Sequence, residues 1–267
     1  MPAESGPSDA LRLRDGGPRY AETPADPYAP DSPLPAEPFN AVTAALFVGI
    51  VGYWAARVWG RWRRFPFVTA CLPVLLAGGV GGTLYHATRT RFVYFLMDVI
   101  PISLIGLGAA VFLTVRLGRS AGRGRVFGVA VGVLAVYALV NGVLFRMIDF
   151  GPGNLRINLS YATLAVVVLI PIGVVLVRTN FRHGAWVGVG LGAFAVAWFC
   201  RLVDNTGLST LPMGTHWLWH IFGAAATHAL AGYFYLLEWD WADGGVSRTR
   251  THPGSLAALL TGNEPGR

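Results

Sequence analysis

The sequence predicts an all-α membrane protein, a seven-transmembrane-helix bundle with its N-terminus outside and its C-terminus in the cytoplasm. Three observations carry this. The 267 residues are 54% hydrophobic and 13% charged, whereas a soluble domain carries about a quarter charged residues. The apolar residues gather into seven stretches, each about the length a helix needs to cross a bilayer core of about 30 Å. The arginines cluster at alternate ends of those stretches, as the positive-inside rule requires.

Each span is delimited by its neighbours. Residues 1–36 are rich in Pro, Asp, Glu, Ala and Gly without periodicity, which predicts a largely disordered tail. The stretch from Asp26 to Asn40 is the part of that end expected to be ordered. Residues 37–239 form the membrane domain and 240–267 a second polar tail. The first span, 40–59, has Arg57 in its last turn and is followed by Arg61, Arg63 and Arg64. The second, 67–87, carries Gly78, Gly79, Gly81 and Gly82, which suit close helix packing in lipid. The third, 92–115, contains Pro101, a predicted kink, and is followed by Arg116, Arg119, Arg123 and Arg125. The fourth covers 126–145. The fifth, 157–177, contains Pro171 and ends at Arg178 and Arg182. The sixth covers 184–203, and the seventh 216–238. Arg248, Arg250 and Arg267 follow in the C-terminal tail, so the richer side is cytoplasmic. Arg89, Arg91, Arg146, Arg156 and Arg201 count for the opposite side.

Composition also excludes functions. All 21 basic residues are arginine, so there is no retinal Schiff base, no PLP aldimine and no P-loop lysine. The net charge of +7 lies at span ends and does not indicate nucleic-acid binding. Cys71 and Cys200 lie inside apolar stretches and imply no disulfide framework.

Ionisable residues within spans are costly and functional by default. His86 ends the second span, Asp98 lies near the start of the third, Asp204 follows the sixth, and His216 and His220 open the seventh. The predicted topology places all five at one depth, in the non-cytoplasmic leaflet. His216 and His220 are four residues apart, so they share a helix face at about 6 Å. With His86 they make the three-nitrogen set of a catalytic zinc, with a fourth position for water. Asp98 is placed to orient or deprotonate that water. Thr83, three residues before His86, is a candidate oxyanion donor, and Asp204 a candidate supporting residue beside a histidine. His228 lies deeper and off that face, and is expected to be a packed histidine.

Four segments resemble the alkaline ceramidases and their wider superfamily of seven-helix membrane hydrolases. They are Ala36-Glu37-Pro38-Phe39-Asn40-Ala41-Val42-Thr43, Gly81-Gly82-Thr83-Leu84-Tyr85-His86-Ala87-Thr88, Leu96-Met97-Asp98-Val99-Ile100-Pro101, and Asp204-Asn205 through His216-Trp217-Leu218-Trp219-His220-Ile221. The resemblance spans about residues 26–238. It implies a zinc-dependent amidohydrolase that cleaves the N-acyl amide of a ceramide-like membrane lipid. His86, His216 and His220 match the zinc ligands, and Asp98 matches the aspartate that holds the water. It further implies calcium bound by the N-terminal segment, with Glu37 and Asp26 as matching ligands. The chain departs from the family pattern at Gly82, where a serine is usual, with Thr83 one place later. It also departs at Ala29-Pro30, where relatives carry Cys-Glu. The wider superfamily leaves open a lipid esterase or transferase, or a non-catalytic lipid-binding receptor with structural zinc.

Overall fold

The computed structural model describes residues 13–118, 122–144, 147 and 155–243. Among these residues it is all-helical, with no strand. Helices α1 (Pro38–Ala44) and α2 (Leu46–Val58) run on as one rod, interrupted at Ala45. Then follow α3 (Pro66–Thr88), α4 (Phe92–Leu117), α5 (Arg123–Leu139, extended by a π-turn at Val140–Leu144), α6 (Leu155–Arg178), α7 (Gly184–Val203) and α8 (His216–Ala242). These seven rods coincide with the seven apolar stretches to within a few residues.

Five rods are long and apolar enough to cross a membrane: Pro38–Val58, Pro66–Thr88, Phe92–Leu117, Asn158–Arg178 and Gly184–Val203. The other two differ for separate reasons. The apolar part of the fourth, Phe127–Val143, is shorter, at 17 residues. The last has 27 residues but carries three histidines and two acids. Of these, His216, His220, Glu238 and Asp240 are buried. Its polarity is turned inward, where a composition scale cannot credit it. The remaining surface suits lipid, with Phe127, Ile170, Val177 and Phe199 each more than half exposed.

Local chemistry sets the helix ends. Pro38 and Pro66 open α1 and α3, where a missing N–H costs nothing. The Glu238 carboxylate accepts hydrogen bonds from the Phe67 and Val68 amides (2.8 and 3.1 Å), so α8 caps the start of α3. At the other end of α3, Arg89 takes the left-handed conformation (φ 51°) and closes the helix onto the Tyr85 carbonyl. The α3 glycines permit close packing: a Cβ at Gly81 would stand 2.2 Å from Met97 Cβ on α4. The main apolar core, around Trp54, Phe65, Leu113, Ile172, Tyr233 and Tyr235, joins the end of α2 and the start of α3 to the C-terminal parts of α4, α6 and α8. That leaves the α3 C-terminus and the α8 N-terminus for polar groups.

The N-terminal segment is ordered over more of its length than the sequence reading expected. Residues 13–25, expected to be loose, fold together with 26–36 across that polar end. The Ala36 and Glu37 amides bond the Ala87 and His86 carbonyls. Glu22 accepts from the Phe39 and Asn40 amides at the start of α1. Asn205 donates to the Arg19 carbonyl. The second tail also begins later than expected. Asp240 is buried in α8 beside Arg182 and His183, and Asp243 pairs with Arg64. Residues 1–12 and 244–267 lie outside the described residues.

Candidate metal centre

His86 comes from the last turn of α3, and His216 and His220 from the first turns of α8. All three are buried, at 0, 1 and 2% exposure. Ring centroids are 4.8 Å apart for His86–His220 and His216–His220, and 5.4 Å for His86–His216. One potential ligand atom from each lies within 4.8 Å of the others. His86 Nε2, His216 Nδ1 and His220 Nε2 are buried without a protein hydrogen-bond partner. Three orphaned imidazole nitrogens facing one point are costly unless something binds them. The donor set fits a divalent ion such as zinc, whose bonds to histidine are about 2.0–2.1 Å.

The surroundings orient the ligands. His86 Nδ1 bonds Glu37 Oε2 at 2.5 Å. With the proton on Nδ1, Nε2 keeps a lone pair for a metal, the carboxylate–histidine arrangement typical of metal sites. Burial pushes the Glu37 carboxyl up, but its hydrogen bond to His86 and the Arg89 guanidinium hold it below the usual carboxylate range. Asp204 acts on His216 through the backbone. Its Oδ1 accepts from the Thr215 and His216 amides (2.7 and 2.9 Å), and its Oδ2 from Ala21. It therefore fixes the start of α8 rather than touching the imidazole.

Asp98 lies against bare backbone. A Cβ at Gly82, one turn before His86, would be 2.5 Å from Asp98 Oδ1. The glycine that departs from the family pattern is thus what admits the carboxylate to this end of α3. Among the described residues Asp98 has no ion-pair partner, so its oxygens remain available. Thr83 is placed differently from the expectation. Its hydroxyl donates to the Gly79 carbonyl at 2.7 Å, the usual back-bond of a helical threonine. That proton is not aimed at the histidines.

The calcium pair implied by the resemblance is not assembled. Asp26 is exposed and accepts from the Tyr28 amide. Glu37 is fully buried, and its oxygens are occupied by His86, Asn40, Thr23 and Arg89. Arg89 fills the position where a cation would act. Its guanidinium is fully buried and bonds Asp15 Oδ2 (2.7 Å), Glu37 Oε1 (2.8 Å) and the Pro18 carbonyl (2.9 Å). It also lies over the Tyr85 ring at 4.4 Å. These residues do not fit a calcium ion, because the acceptors already surround a fixed positive charge.

Two further residues escape a reading by motif. Tyr20 stacks on His216 with centroids 3.8 Å apart and sits 5.3 Å from His86, closing the centre from outside. Burial holds its phenol well above the usual value, so it stays neutral. Arg201, on the last turn of α7, lies over the Tyr161 and Trp219 rings. His228 is half-buried among Tyr53, Trp54 and Trp186, outside the centre, as its position predicts.

Compared with known proteins, the chain matches no family model and no curated protein.

Proposed function

We propose that this chain is an integral membrane metal-dependent amidohydrolase, with zinc as the ion, acting on the N-acyl amide of ceramide-like lipids. The observation that carries the reading is the convergence of three buried histidine nitrogens without a protein partner at one end of an apolar bundle, with Asp98, which has no ion-pair partner among the described residues, against Gly82 one turn before His86. The resemblance of the four segments to alkaline ceramidases supports the same chemistry. In this reading all seven rods span the membrane, the N-terminus is outside, and the centre serves the non-cytoplasmic leaflet.

A divalent ion bound there supplies Lewis-acid polarisation of the carbonyl and lowers the pKa of water toward neutrality. The chain's own residues do the rest. Asp98 accepts a proton from the attacking water and returns it to the leaving nitrogen. A C–O bond forms, the C–N bond breaks, and the products are a fatty acid and a sphingoid amine. Glu37 holds the His86 ring, and Asp204 holds the backbone that carries His216. The apolar helix walls keep the acyl chain within the bilayer throughout.

Fatty-acid release by the zinc-loaded protein in detergent tests this, with a ceramide and its ester analogue compared. Cleavage of the amide is the expected result. Cleavage of the ester alone would reassign the chain to the lipid esterases. Release from neither, with metal bound, would overturn the hydrolase reading and leave a lipid-binding role.

A further inference from the structure

A cavity of about 320 Å³ lies between α4, α5, α6 and the end of α7, at the lower end of the size of ligand pockets. Its α4 wall is mostly apolar, with Phe95, Val99, Ile100 and Leu104. Its other walls are not. Arg201 enters from α7, Tyr161 from α6, Tyr137 from α5, and Asn141 from the π-turn Val140–Leu144. π-turns recur at functional positions because they re-aim a side chain.

Two polar groups in this cavity lack a natural counterpart. Arg201 has no carboxylate partner among the described residues. Its Nε bonds the neutral Asn158 Oδ1 at 3.3 Å, and its face lies on Tyr161 and Trp219. The Asp98 carboxylate acts on it at longer range, but an arginine inside a bundle with no contact ion pair is expensive. Its planar fork is suited to carboxylate or phosphate oxygens. Asn141 spends its amide N–H on the Tyr137 carbonyl (3.0 Å), and its Oδ1 is buried without a donor. The cavity therefore offers one fixed cation, one free acceptor and an apolar wall.

We propose that this cavity is a recognition subsite for an acyl lipid whose polar end carries an anionic group, carboxylate or phosphate, beside an N–H or O–H. Arg201 pairs with the anion, Asn141 Oδ1 accepts the hydrogen, and the acyl chain lies along α4. The proposal narrows the ceramide-like class of the hydrolase reading to acyl amides that also carry an anionic group, and rests on that reading for turnover, but not for binding. Trp219 links the two places, since Arg201 lies over its ring and it stands on α8 between His216 and His220.

The test is equilibrium binding to the full chain in detergent. N-palmitoylglycine is compared with its neutral isostere N-palmitoylglycinamide, with hexadecyl phosphate as the phosphate arm. The wild type is expected to prefer the anion by about tenfold or more, the usual worth of a charge-assisted bond in a desolvated site. Arg201→Gln is expected to bring the ratio close to one, while Arg201→Lys keeps part of it. His216→Ala is expected to keep the ratio while losing turnover, which separates failure of the subsite from failure of the hydrolase reading. Tighter binding of hexadecyl phosphate identifies a phosphate headgroup as the recognised chemistry. Tighter binding of the glycine conjugate identifies a carboxylate. Equal affinity of the wild type for the glycine conjugate and its amide would overturn the proposal, whatever the fate of the variants, and so would an unchanged ratio in Arg201→Gln.

Discussion

Asp98→Asn is expected to lower turnover by about 10²–10⁴-fold, the usual contribution of a general acid–base group, with metal content and expression unchanged. The carboxamide fills the same space against Gly82 but cannot accept a proton. If Asp98 carried only packing, the isosteric change would be silent. Gly82→Ala sharpens the test from the opposite helix. Its new Cβ would stand 2.5 Å from Asp98 Oδ1, closer than real contacts allow, so the carboxylate must move. Turnover is expected to fall while the histidines, one turn away, still bind metal. Activity measured alongside metal content in both variants checks the assignment. Full turnover by Asp98→Asn would remove Asp98 from the mechanism.

Replacing Arg89 with alanine is expected to have the largest effect on stability. The fully buried guanidinium joins Asp15 from the N-terminal segment to Glu37 at the start of α1. Without it two buried carboxylates face each other with no cation. Removing one partner of a buried ion pair costs about 3–5 kcal/mol. The segment from residue 13 to 37 should then detach and become open to protease, and Tyr20 should leave His216. Because Arg89 is a covalent cation, adding calcium or chelating it with EGTA should leave thermal unfolding of the wild type unchanged. Thermal melts and limited proteolysis read both effects. A variant as stable and as protease-resistant as the wild type would contradict this account of the cap, and so would stabilisation by calcium.

Much of this was legible in the sequence, for identifiable reasons. The seven rods follow from stretch length and hydropathy, which act locally. The three histidines could be brought together because the i, i+4 spacing of His216 and His220 fixes one face and alternating spans fix the depth of His86. The N-terminal segment could not be read in this way. Its prolines, glycines and acids look disordered alone, and its order comes from partners far along the chain, such as Arg89 and Asp204. Arg89 and Arg201 belong to the arginine pattern that predicts topology, and nothing in sequence marks an arginine that turns inward. Glu37 was visible as a candidate metal residue, but its bonds to His86 and Arg89 make it a support for the histidine centre. Thr83 shares the His86 face by spacing, yet its hydroxyl is claimed by the Gly79 carbonyl, a local competition that helical position does not reveal.

The central claim is that His86, His216 and His220 hold a divalent metal. It is tested most directly by elemental analysis of the purified protein beside its folded His216→Ala variant. The account predicts about one zinc per chain in the wild type, with loss of the ion in the variant. A wild-type protein that is folded and zinc-free after zinc loading, or a variant that keeps its zinc in full, would contradict it.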